Sequence, residues 1–139
     1  MSARTKARKR AVDALYAAEL RDELATELLE QTRLSVADRQ NQDEIFDYAS
    51  LLVTGVVMHQ IEIDELIAAF SQNWPIDRMP VIDRSILRVA TFEICYHSDI
   101  PIPVAISEAA SLATELSTDD SAGFINGILA SIAATRTTL

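Results

Sequence analysis

The sequence predicts an all-α fold, a single compact domain over residues 1–139 built from about seven helices. Three observations carry this. Apolar residues recur at i, i+3, i+4 and i+7 along most of the chain, which gathers them on one face of a helix. Only three glycines and four prolines punctuate 139 residues, too few for the turns of a many-stranded β fold. The chain is 49% apolar. That is ample for one core at a size where folding buries roughly 68–70% of the unfolded surface without disulfide or metal.

The first helix is predicted near 3–20. Ala11, Val12, Leu15 and Ala18 share its core-facing side, while Lys6, Lys9 and Arg10 share the other with Asp13 beside them. A second helix, near 22–33, precedes the polar, aperiodic residues 34–43, which read as a loop. Ile45, Tyr48, Ala49, Leu52, Val53 and Val56 mark a helix over 44–60, and Ile63, Leu66, Ile67 and Phe70 another over 62–72. Trp74-Pro75 and Met79-Pro80 flank a short turn, since proline ends one helix and suits the first turn of the next. The stripe Ile82, Ile86, Val89, Ala90 and Ile94 gives a helix over 80–97. Ser98-Asp99, Pro101 and Pro103 break the chain before a helix at 104–116. The run from Ser117 to Ser121 offers capping side chains for a last helix at 121–135, striped by Ile125, Ile128, Leu129 and Ile132. These stripes could all be internal, or one could form a homodimer seam.

Net charge is -9, which taken whole argues against a polyanionic partner. The average hides two regions. Residues 1–10 hold Arg4, Lys6, Arg8, Lys9 and Arg10 with no acid, whereas residues 11–139 hold 7 basic and 21 acidic side chains, a balance of -14. Cys95 stands alone, without another Cys or His at metal-ligand spacing, so neither an internal disulfide nor a metal centre is expected. No uncharged segment reaches the roughly 18 residues of a membrane span. The amino terminus lacks a signal peptide's apolar stretch, and it enters a helix pattern without the cleavage-like break of a transit peptide. A cytoplasmic protein without membrane contact is expected.

No catalytic constellation or cofactor site is legible. His59 and His97 lie near predicted helix ends, where a histidine commonly partners the terminal carbonyls. The glycines of residues 123–127 lack the Lys-Ser/Thr of a phosphate loop. Asp43-Glu44 and Asp119-Asp120 sit where helix starts favour negative charge.

The basic first helix is more informative. Its cationic stripe ends at Tyr16, on the border of the apolar face; Arg4 and Arg8 lie nearer that face, early enough to fray or swing to solvent. Cations neutralising phosphates beside an aromatic plane that stacks bases is how single-stranded nucleic acid is held. Five such cations would give a log–log salt slope of at most about -3.5, at roughly 0.7 per neutralised phosphate. A solubilising basic tail, with Tyr16 as an ordinary core edge, explains the same residues.

Three segments together resemble a known family: ARKRAVDALY at 7–16, VIDRSILRVATFEI at 81–94, and SDIPIPVAISEAASLATELSTDDSAGFINGILASI at 98–132. In order and spacing they are similar to the NusB family of bacterial transcription antitermination factors, and TELSTDDSAGF is most similar to its actinobacterial members. The resemblance spans essentially the whole chain. It implies two packed helical sub-bundles without enzymatic activity. It further implies binding of boxA RNA in ribosomal RNA leaders together with NusE, a small-subunit ribosomal protein, within the RNA polymerase antitermination complex and its other Nus factors. Matched residue by residue, the family's RNA surface falls on Arg4, Arg8, Lys9 and Arg10 with Lys6 adjacent, on Tyr16, and on Asp120 and Phe124. Its NusE surface draws on the helix beginning near Pro80, which makes Asp83, Arg88 and Glu93 candidates. Gly123 stands where many members carry a Lys, which puts a phosphate contact there in doubt, and the small Gly127 is expected to allow close helix packing. Two other readings remain: a protein-only helical adaptor, and the truncated NusB-like domain of a ribosomal-RNA methyltransferase.

Overall fold

A computed structural model describes residues 1–71 and 74–137. Six α-helices and one 3₁₀ turn make up its regular structure, and no strand occurs among the described residues. The first, α1 (Ala3–Arg21), starts because the Ser2 hydroxyl accepts the Thr5 amide at 3.0 Å. It ends at Asp22, which turns left-handed (φ 54°) and returns its amide to the Ala18 carbonyl. Next comes α2 (Ala25–Ser35), followed by the expected loop and then α3 (Gln42–Phe70).

The predicted helices 44–60 and 62–72 are therefore one helix, and residue 72 lies outside the described residues. The apolar stripe runs in phase from Val56 to the fully buried Ile63 and Ile67, with no Pro to interrupt it. The chain bends at His59 (φ -111°) instead of breaking, and the imidazole there stacks on Tyr96 at 3.9 Å. A 3₁₀ turn (Ile76–Arg78) occupies the interval between the two proline pairs. After it, α4 (Val81–Tyr96), α5 (Ile102–Leu116) and α6 (Asp119–Thr137) complete the chain. Thr118 caps α6 by accepting the Ser121 amide at 3.0 Å.

Packing sorts the helices into two groups that share α4. On one side α3 packs against α1 and α2; on the other α5 packs against α6, and α4 touches α1, α3, α5 and α6. Consequently α4 is buried nearly all round, from Ser85 through Ile94. The buried centres of the predicted stripes, such as Leu52, Val53, Ile86, Ile125 and Leu129, all lie inside this one chain. No described helix is long and apolar enough to cross a membrane.

Gly55 is required where α3 meets α4. A Cβ there would lie 2.1–2.7 Å from ring carbons of Phe92, a buried ring with His59 and His97 stacked at 6.4 Å on either contact. Gly55→Ala should therefore destabilise by about 1–3 kcal/mol, even after the helix-propensity gain of up to ~1 kcal/mol. A urea midpoint at or above wild type would show that the ring can step aside. Gly127 differs from expectation: it is exposed, and a Cβ there would meet nothing within 4 Å, so close packing does not explain it.

Candidate nucleic-acid interface

The helical wheel of α1 divides its cations into two sets. Arg8 points inward and is 3% exposed. Its Nε and Nη2 donate to the Glu93 carboxylate at 2.9 Å each, and Nη1 lies 3.3 Å from Glu108. The Tyr48 hydroxyl also donates to Glu93, and Thr5 donates to Glu108 at 2.7 Å. Burial by itself would lower the pKa of the Arg8 guanidinium, but the hydrogen bonds and charge of Glu93, then the charges of Tyr48 and Glu108, raise it on balance. Burial first, and the bond to Glu93 second, push the Tyr48 phenol well above its ordinary range. This charge cluster joins α1 to α3, α4 and α5; Arg8 is a fastener, not a free phosphate ligand.

The outward set is Lys6, which is exposed, and Lys9 and Arg10, which are half-buried, with exposed Asp13 and Tyr16 on the same solvent-facing arc. Lys9 donates to Glu115 at 2.7 Å; that bond and charge raise its pKa, and both partners are solvent-exposed enough for the pair to open cheaply. The Arg10 guanidinium sits 5.4 Å above the Phe46 ring, and exposed Arg4 sits 4.9 Å above Tyr48. Tyr16 is 37% exposed, so part of its ring can receive a base. At the start of α6, Asp120 is exposed, and half-buried Phe124 meets Trp74 edge-on at 4.6 Å. Both α1 and α6 pack against α4, which sets these two groups on one framework.

The residues assigned to the protein partner need correction. Asp83 is 0% exposed and accepts the Ser121 hydroxyl at 2.8 Å, tying α4 to α6. Glu93 is 1% exposed within the Arg8 cluster. Arg88 is 9% exposed and forks onto Asp64 at 2.9 and 3.0 Å. The packing of α4 against α1, α3, α5 and α6 encloses both carboxylates, so Asp83 and Glu93 are not surface contacts. Tyr48 and Glu108, which orient α1, escaped the sequence because their pairing spans distant segments with no local signature.

Comparison with known proteins places this architecture. The sequence pattern of the NusB family matches residues 5–134. The transcription antitermination protein NusB of Clavibacter michiganensis subsp. michiganensis is 53% identical, covering 98% of this chain and 99% of its own. Its counterpart in a Nocardioides species is 47% identical over 100% of this chain and 99% of its own. Among solved structures, T. maritima NusB superposes with a TM-score of 0.84 and 33% identity, over 94% of this chain and 90% of that one. A chain from the crystal structure of antitermination factors NusB and NusE in complex with double-stranded RNA gives a TM-score of 0.84 at 27% identity, covering 97% and 98%.

Proposed function

The chain belongs to the NusB family, and from that premise we propose that it is a transcription antitermination factor that binds boxA RNA of nascent ribosomal RNA leaders together with NusE. Joined by other Nus factors, the pair supports read-through by RNA polymerase. The protein acts as an adaptor in the cytoplasm, without catalysis of its own.

The observation that carries the reading is the exposed arc of α1, where Lys6, Lys9 and Arg10 run beside Tyr16 on an otherwise acidic molecule. The cations attract phosphate and the ring stacks a base. With Arg8 committed to Glu93, four cations of the first ten residues remain, and the salt slope they support falls to about -2.8 at most. Contact of this size is local and weak alone, which is why a basic protein partner completes it against the -14 body. Asp120 and Phe124 extend the RNA surface at the start of α6; of the partner candidates, Arg88 keeps the most exposure, 9%, and Asp64 holds it.

Titrating a boxA RNA and a scrambled RNA, with and without NusE, tests this. The reading expects a preference for boxA that NusE strengthens; equal affinity for both RNAs in the presence of NusE would leave a protein-only adaptor. Within the same assay, Tyr16→Ala should lose about 1–3 kcal/mol of RNA binding. Its salt slope should stay that of wild type, because stacking releases no counterions. A flattened slope would mean that Tyr16 acts by holding the neighbouring cations in place.

A further inference from the structure

An open cleft of about 410 Å³ runs between the outer flank of α1 and the α2–α3 connection. Lys6, Lys9 and Arg10 line it from α1; Arg39 and Gln42 line it from the connection and the start of α3. Asp13 is its one acidic lining residue among those described. Neither Lys6 nor Arg39 makes an ion pair among the described residues, and both are exposed. Arg10 lies against the face of Phe46 and makes no ion pair among the described residues. The fold thus adds a fourth cation, from a loop some thirty residues downstream, to a wall of three. The volume lies within the roughly 300–1,000 Å³ of ligand-binding clefts.

The far side of Arg39 is different. A neighbouring depression there is lined by Glu30, Asp43 and Glu44, and its Arg33 is occupied by Asp43 at 3.1 Å and Asp47 at 3.3 Å. Arg39 therefore stands at the border between a basic trough and an acidic one. A polyanion entering over α1 is drawn as far as Arg39 and repelled beyond it.

We propose that this cleft carries the RNA backbone past α1, with Arg39 as a phosphate contact opposite Lys6 and Arg10. The inference rests on the RNA-binding reading above and extends it. Along the arc of α1, Tyr16 lies to one side and Lys6 with Arg10 to the other, with Lys9 between them and on the near edge of the cleft. A strand stacked on Tyr16 crosses α1 to reach the cleft, so the bound RNA runs beyond the stacked bases on one side. Because phosphates and not bases are held there, the added nucleotides contribute affinity without sequence preference.

The test uses the full chain with saturating NusE and three RNAs: boxA alone, and boxA extended by a short uridine tract at its 5′ or its 3′ end. Wild type should gain about 5-fold in affinity at ~0.1 M salt from one of the extensions, the yield of one further neutralised phosphate. Arg39→Ala should lose that gain and flatten the slope by about 0.7, and Arg39→Glu should bind more weakly still. Both variants should melt like wild type, since the side chain is exposed. If Arg39→Ala matched wild type on all three RNAs while Lys6→Ala/Arg10→Ala weakened binding, the cleft would be overturned and the α1 surface would stand. If wild type bound none of the RNAs, both readings would fall.

Discussion

Glu93→Ala is expected to lower stability by about 3–5 kcal/mol, because it strands the buried guanidinium of Arg8 without its carboxylate. Among the described residues Arg8 would keep Glu108 at 3.3 Å and the face of Tyr48 at 5.8 Å, and the Tyr48 hydroxyl would lose its acceptor. Domains of this kind hold about 5–15 kcal/mol in total, so a substitution at one position would consume a large share of the margin. Urea unfolding followed by circular dichroism measures it. The paired replacement Arg8→Leu/Glu93→Leu should recover most of the loss, since removing both charges leaves no buried ion uncompensated. A Glu93→Ala midpoint equal to that of wild type would mean that Arg8 reaches water, which would return it to the accessible cations.

The second large effect concerns RNA. Lys6→Ala/Lys9→Ala/Arg10→Ala should weaken boxA binding about 100-fold at ~0.1 M salt, the product of three phosphate contacts each contributing roughly 0.7 to the salt slope. Helical content should stay that of wild type. Lys6 makes no ion pair among the described residues, the Lys9–Glu115 pair is solvent-exposed, and Arg10 rests on a ring face. A triple variant that unfolds would instead assign these side chains to the scaffold.

The helices were legible because their apolar stripes are local and periodic, and Pro75, Pro80 and the Ser117–Ser121 run mark real ends. Two helices merged into α3 because nothing in residues 57–67 can break a helix; a bend at His59 leaves the stripe in phase. The exposed arc of α1 was likewise readable from its wheel. Arg8 was misplaced for a different reason. Its position lay near the apolar side, and an isolated charge there would reach for water, but its partner stands 85 residues away on α4. Asp83 and Glu93 failed in the same way. Their segment holds Ile82, Ile86, Leu87, Val89, Ala90, Phe92 and Ile94, a density that speaks for a helix enclosed nearly all round, whose polar side chains are carried into the interior with it. Arg39 carried no signal at all: a lone cation in a polar loop becomes part of a basic wall only when the fold sets it opposite Lys6 and Arg10.

The salt dependence of boxA affinity, compared between wild type and Lys6→Ala/Lys9→Ala/Arg10→Ala at saturating NusE, decides whether these cations contact RNA. If the exposed arc of α1 meets the RNA backbone, the two log–log lines should differ in slope by about 2 and converge toward 1 M salt. Parallel lines would contradict it, because they would show that these three cations neutralise no phosphate in the bound state.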